Sequence, residues 1–266
     1  MNADGRAIAF DARARSTYAN PAQVQRSINQ GGNVPKITET TLRQQLSEAT
    51  RMMVMADLLD YSGHLSARIP DTDRVLIQPR DSSRAGLTAD EILVVDLEGR
   101  VLEGNGPPPS ETAIHLGVYR AREDALAVGH GHPPLSVLFS MVDAPMIAMR
   151  NFGFRFIGCP VHPDPTHIRT LEQGAEVAAT LGSGRCCLLR GHGSVIVCES
   201  IPEVFLDSLE MEENARSVIN AAALGPLKPI TPEEVVRLRP SFERNGYRIA
   251  KTWGHYQDKA RQVGAL

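Results

Sequence analysis

Hydrophobic and polar positions divide the chain into two regimes. Up to about residue 38 there is little apolar periodicity, and Asn, Gln, Gly and Arg dominate (ARARSTYANPAQVQRSINQGGNVP). This composition predicts an N-terminal arm over residues 1–38, partly disordered or wrapped on a neighbouring subunit, with the folded domain over 39–266. From Thr41 onward Leu42, Leu46, Ala49, Met53, Ala56 and Leu59 recur at threes and fours, which predicts a helix with one apolar face, stopped by Gly63. HLSARIP, RVLIQP and EILVVDLEGRVLEG then read as strands, the last containing a turn at Glu98-Gly99. Gly106 to Pro109 is a rigid loop, and Ser110 is placed to cap the helix SETAIHLGVYRARE. ALAVGHGHPP reads as a strand running into a loop, LSVLFSMV as a helix, and PMIAM and FIGCPV as strands. Beyond the polar loop HPDPTH, Leu171 to Leu181 is helical and RCCLLRGHGSVIVC is two buried strands. PEVFLDSLEMEENARSVINAAALG is a long amphipathic helix closed by Gly225, and TPEEVVRLRPSFERNG holds a short one. Strands and helices mix without a regular alternation, which predicts an α/β chain with a mixed or antiparallel central sheet covered by helices.

Three of the eight histidines stand in informative contexts. His130 and His132 flank Gly131 at the end of an apolar run, and alternate residues of a strand point to one side. His192 lies between Gly191 and Gly193, which let the backbone turn or approach closely. Three neutral imidazoles with an open coordination position suit one divalent ion per subunit: Zn²⁺, Mn²⁺, Fe²⁺ or Co²⁺. Glu111, at the start of a predicted helix and one turn before His115, can ligate that ion or shuttle a proton.

Composition narrows the partners. A net charge of −3 leaves no electrostatic footprint for nucleic acid or an acidic membrane surface. No apolar run approaches the ~20 residues of a membrane helix, and no secretory signal is visible, so a cytoplasmic location is expected. The four cysteines include no CxxC pair and read as reduced thiols.

An ordered set of motifs resembles the class II aldolase/adducin superfamily: GHLSAR, LTADEILVVDLEGRVLEG, PPSE, IHLGVYRAREDALAVGHGH and LLRGHGSVIV, spread from Leu42 to Asn220. The resemblance implies a three-layer sandwich, a central, mostly antiparallel sheet flanked by helices. It also implies a homotetramer with sites at subunit interfaces, His130, His132 and His192 as metal ligands, and Glu111 as ligand or acid/base. Sugar-phosphate aldolases of this superfamily read G-N-x-S and then T-P-S-G around the phosphate. Here Gly63-His64-Leu65-Ser66 and Gln78-Pro79-Arg80-Asp81-Ser82-Ser83-Arg84 stand instead. Asp81 would repel a phosphate dianion, whereas Arg80 or Arg84 can grip a carboxylate through paired hydrogen bonds. The G-H-x-S motif resembles the branch of metal-dependent decarboxylases of hydroxylated aromatic dicarboxylates, of the dihydroxyphthalate type. That resemblance implies a small-molecule carboxylate substrate and aromatic-compound catabolism. It implies Glu111 or His64 as the catalytic acid and Arg80, Arg84 and Ser66 as substrate-binding residues. His115 and His162 are weaker candidates behind the metal ligands. A sugar-phosphate aldolase or epimerase, an Fe(II) oxygenase on a hydroxyaryl acid, and a non-enzymatic adducin-like module are the alternatives.

Overall fold

The computed structural model describes residues 37–243 and 246–266; the predicted N-terminal arm, except for its last two residues, lies outside the described residues. Helix α1 (Glu39–Met55) begins where the Thr38 side chain accepts the Thr41 N–H, and it buries Leu42, Leu46, Ala49, Met52 and Met53 along one face. It ends at Ala56, seven residues before Gly63, as Asp57 turns to φ +55°. Strands β1 (His64–Arg68), β2 (Arg74–Ile77), β3 (Leu93–Asp96) and β4 (Val101–Glu103) form a meander, with the predicted turn between the last two. Helix α2 (Thr112–Ala121) leads into β5 (Ala127–Gly131), then β6 (Val161–His162), α3 (Leu171–Leu181), β7 (Cys186–Leu189), β8 (Gly193–Cys198), α4 (Ile201–Ala222), α5 (Pro232–Glu243) and α6 (Gly246–Gln262).

The sheet order is β4-β3-β2-β1-β5-β8-β7-β6, with every pairing antiparallel except β6 with β7. Side-chain parity sorts its two faces. Leu65, Leu76, Val94, Leu188 and Ile196 pack in one core with residues of α1, α4 and α6. Val75, Ile77, Val95, Leu189 and Val197 pack in the other with residues of α2 and α3. Because helices cover both faces, the central strands are apolar at consecutive positions, which is why CCLL and VIV read as continuous runs. The chain thus has the three-layer α/β architecture expected of it. Among the described residues no helix is long and apolar enough to cross a membrane.

Several local expectations change. LSVLFSMV forms only a short 3₁₀ turn, Ser136–Ser140. PMIAM is buried at Met146 and Ala148 but joins no strand. The Asn214 side chain, from α4, accepts the N–H groups of Met149 and Arg150 and donates to the Ile147 carbonyl, standing in for a strand ladder. Of FIGCPV only Val161 enters the sheet, in a two-residue strand beside a 3₁₀ turn over Gly153–Phe156. Helix α4 stops at Ala222 with Ala223 as its C-cap, two residues short of Gly225. Helix α6 has no counterpart in the sequence pattern, since it buries only Trp253, Gln257 and Ala260.

Candidate metal centre and active-site cleft

The metal candidates meet at one end of the central strands β1, β5 and β8. His130 lies on β5 directly across from His64 on β1, and His132 follows just past the end of β5. His192 comes from the tight turn between β7 and β8, closed by its own N–H donating to the Leu189 carbonyl. Gly191 takes φ +63° there, and a Cβ on Gly193 would come within 2.4 Å of the Gly131 carbonyl oxygen. The three imidazole rings stand 4.9, 5.1 and 5.2 Å apart, and one ring nitrogen of each lies within 4.8 Å of the others.

Hydrogen bonds decide which nitrogens are free. Nδ1 of His130 faces the Ser194 carbonyl at 3.0 Å, and a carbonyl only accepts, so that nitrogen carries the hydrogen. Nε2 of His130 is then a bare lone pair, buried and without a hydrogen-bond partner among the described residues. Nδ1 of His132 donates to Asp60 Oδ2 at 3.0 Å, which leaves its Nε2 free as well. Burial raises the Asp60 pKa, but bonds from the Ser62 N–H, His132 and the Gly63 N–H outweigh it and bring the carboxyl down to about 2. Asp60 is therefore an anion that orients His132. The motif Asp60-Tyr61-Ser62-Gly63 is an Asx turn, a signal visible in the sequence.

Glu111 completes the cluster. It is the N-cap residue of α2, not a first-turn residue capped by Ser110; Thr112 N–H bonds to the Pro109 carbonyl, and the Glu111 side chain caps nothing. Its Oε1 accepts the Ile168 N–H at 3.0 Å, and its Oε2 lies 3.7 Å from His130 Nε2 and 3.5 Å from His192 Nε2. Burial pushes the Glu111 carboxyl up, yet the adjacent His130 and His192 rings and the Ile168 N–H outweigh it and hold it ionised, well below the ordinary range. Burial lowers the His130 pKa. A carboxylate oxygen facing a bare imidazole lone pair is a repulsive pair of electron donors unless a cation stands between them. This donor set fits one divalent ion held by His130, His132 and His192, with Glu111 beside it.

An open cleft of about 390 Å³ borders the cluster, in the size range of small-molecule sites. His64, Glu111, His132 and His192 line it, as do Arg80 and Arg84. Arg80 is half exposed, with Nε 3.2 Å from Asp81. Arg84 spends three of its N–H groups on the carbonyls of Gly63, Pro79 and Ser82, so it first staples the loop to β1. Ser66 is placed otherwise than expected: its hydroxyl is buried, bonded to His115 at 2.6 Å and Tyr119 at 2.8 Å, and it does not line the cleft. His115 stands behind His64, which it meets at 2.7 Å, and burial brings its pKa down to about 3. His162 lies elsewhere, bonded to Thr180. The sequence also gave no notice of His167, whose Nδ1 is 3.5 Å from Glu111, or of Arg169, which lines the cleft. Both come from a polar loop with no periodicity to mark them.

The fold and this centre define a class of protein. Residues 44–219 match the model of the Class II Aldolase and Adducin N-terminal domain, and the chain belongs to that family. Among its relatives, a 3,4-dihydroxyphthalate decarboxylase of Terrabacter sp. (strain DBF63) is 30% identical over 80% of this chain and 94% of its own. A 5-deoxy-D-ribulose 1-phosphate aldolase of Bacillus thuringiensis serovar kurstaki is 25% identical over 77% of this chain and 96% of its own. The solved L-fuculose 1-phosphate aldolase of Glaciozyma antarctica superposes with a TM-score of 0.75 at 20% identity, over 87% of this chain and 95% of its own, a likeness of fold.

Proposed function

We propose that this chain is a metal-dependent carbon–carbon lyase that removes a carboxyl group as CO₂ from a hydroxylated, phthalate-like aromatic acid. One observation carries the reading. The loop beside the cleft has no free backbone N–H to cradle a phosphate at Arg80, because that N–H donates to the Pro107 carbonyl at 2.9 Å. The Ser82 hydroxyl is likewise committed to Glu91, and Asp81 adds a negative charge. What the loop does offer is the Arg80 guanidinium, a group matched to a carboxylate. The likeness to the Terrabacter decarboxylase supports the same substrate class.

In this reading Arg80 binds a carboxylate of the substrate and orients the ring toward Glu111 and the histidines. His130, His132 and His192 would hold a divalent ion (zinc, manganese, iron or cobalt), which when bound would supply positive charge to stabilise electron density left on carbon. Glu111, ionised before substrate arrives, accepts the phenolic proton of the substrate at a carboxylate oxygen. It returns that proton to the ring carbon as the carbon–carboxyl bond breaks and its electron pair stays with the ring. A carboxylate enters, and CO₂ and a phenolate leave, so charge is conserved. The chain works in this reading as a homotetramer with the cleft at a subunit interface, which light scattering tests.

The assay is CO₂ release from hydroxylated phthalates by the metal-loaded protein, with fuculose- and ribulose-type phosphates as the competing substrates. Glu111→Gln is expected to lower kcat by about a hundredfold or more. Arg80→Ala is expected to raise KM about tenfold with a smaller change in kcat. Cleavage of a sugar phosphate with no CO₂ from any hydroxyaryl acid would replace the decarboxylase with an aldolase.

A further inference from the structure

Behind the cleft runs a buried chain of four polar side chains. Tyr119 on α2 meets Ser66 on β1 at 2.8 Å; Ser66 meets Nδ1 of His115 at 2.6 Å; Nε2 of His115 meets Nδ1 of His64 at 2.7 Å. All four residues are 2% exposed or less. The remaining ring nitrogen of His64, Nε2, makes no hydrogen bond among the described residues, and His64 lines the cleft. The ring stands with Glu111 and His130, one ligating atom of each within 4.8 Å, so position alone would admit His64 as a metal ligand.

We propose that Tyr119, Ser66 and His115 form a one-way hydrogen-bond chain that fixes His64 as the Nε2–H tautomer, making it a hydrogen-bond donor to a substrate oxygen and not a metal ligand. The direction follows from the far end. The buried Tyr119 hydroxyl has one hydrogen, and its side-chain partner among the described residues is Ser66 Oγ, so it donates there. Ser66, with its oxygen accepting from Tyr119, turns its own hydrogen to His115 Nδ1. That nitrogen is then a lone pair, and the neutral His115 ring carries its hydrogen on Nε2 and donates it to His64 Nδ1. His64 Nδ1 accepts, so its hydrogen sits on Nε2, toward the cleft. The opposite direction would leave the Tyr119 O–H buried with no acceptor among the described residues. A nitrogen that bears hydrogen has no lone pair for a cation, which assigns the metal to His130, His132 and His192 and leaves His64 free to meet an anionic oxygen. Tyr119, Ser66 and His115 are positioning residues in this arrangement. The inference rests on the metal reading of the three histidines but on no particular substrate.

The test uses full-length protein with ¹⁵N-labelled histidine, metal-free and loaded with zinc alone. Long-range ¹H–¹⁵N correlations distinguish the two neutral tautomers, and His64→Gln identifies the His64 signals. Wild-type His64 is expected to show the Nε2–H pattern, and Tyr119→Phe, which removes only the starting donor, to show a mixture of tautomers. His64→Gln is expected to change zinc affinity by no more than about threefold, whereas His130→Ala lowers it by more than about a hundredfold. An Nδ1–H pattern in wild-type protein, an unchanged pattern in Tyr119→Phe, or zinc loss in His64→Gln equal to that in His130→Ala would each overturn the proposal. Retention of zinc by His130→Ala would instead overturn the metal assignment. Circular dichroism of each variant separates these results from misfolding, and Tyr119→Phe supplies the tautomer answer if His64→Gln does not fold.

Discussion

Asp60 orients His132 from a loop that carries no ligand of its own. Its carboxylate receives three hydrogen bonds from Ser62 and Gly63 and a fourth from His132 Nδ1. The first three fix the carboxylate, and the fourth fixes which imidazole nitrogen is free. Asp60→Asn keeps the shape and removes the charge, so it is expected to weaken zinc binding by about ten- to a hundredfold, read by competition with a chelator. Unchanged affinity would mean that His132 is held without Asp60. Gly131 shows a related point. The sequence suggests that it leaves room between two imidazoles, but the space it leaves is occupied by the Leu58 carbonyl, 2.8 Å from where a Cβ would stand.

At the scale of elements, the close crossing of α2 and α3 sets the height of Glu111 and His115 above the sheet. A Cβ on Gly174 would lie 2.0 Å from the Ala113 carbonyl oxygen, and one on Gly117 2.2 Å from that of Gly174. Both obstacles are backbone, so the helices must separate. Gly174→Ala is expected to cost about 1–3 kcal/mol or more in urea unfolding and to lower activity too, because Ala113 is two residues from Glu111. Gly254→Ala in α6, with nothing within 4 Å of its Cβ, is the control and is expected to be neutral or to stabilise by up to about 1 kcal/mol. Equal losses in the two variants would remove the packing explanation. Helices α1, α3 and α4 were legible because each buries a stripe at helical spacing, whereas α2 buries every residue from Thr112 to Tyr119 and was legible from the Pro-Ser signal before it. Helix α6 was not, since its contacts with α1 and α4 come from a few residues in a polar sequence such as Trp253 and Gln257, which bonds Glu48.

For the whole molecule, burying neutral histidines makes stability depend on pH. Burial lowers the pKa of His64, His115 and His130, that of His115 to about 3. Above about pH 6.5 these rings are neutral in both folded and unfolded chains and the stability is complete. Below it the unfolded chain takes up protons that the folded chain refuses, so stability falls, for His115 until about pH 3. Asp60 adds a smaller loss, screened by solvent, as pH drops from about 4 toward 2. Calorimetry of the metal-free protein is therefore expected to show Tm falling steadily from pH 6.5 to 4, with a shallower slope in His115→Gln. A flat profile would contradict the buried neutral state.

Local residue patterns specify the layers and point to the candidate metal chemistry. Runs apolar at every position require a sheet covered on both faces, and His130, His132, His192 and Glu111 stand in motifs that mark a candidate metal centre. Tertiary structure decided which atoms of those residues are available. In His130 and His132 the bond made by Nδ1 leaves Nε2 as the ligating nitrogen, and the occupants, the Ser194 carbonyl and Asp60, lie 64 and 72 residues from the histidines they orient. The same long-range bonding took Ser66 out of the cleft and tied most of Arg84 to the loop, while folding carried His167 and Arg169 in. Hydrogen bonds between distant segments form only once the sheet brings them together, so no local pattern of residues encodes them.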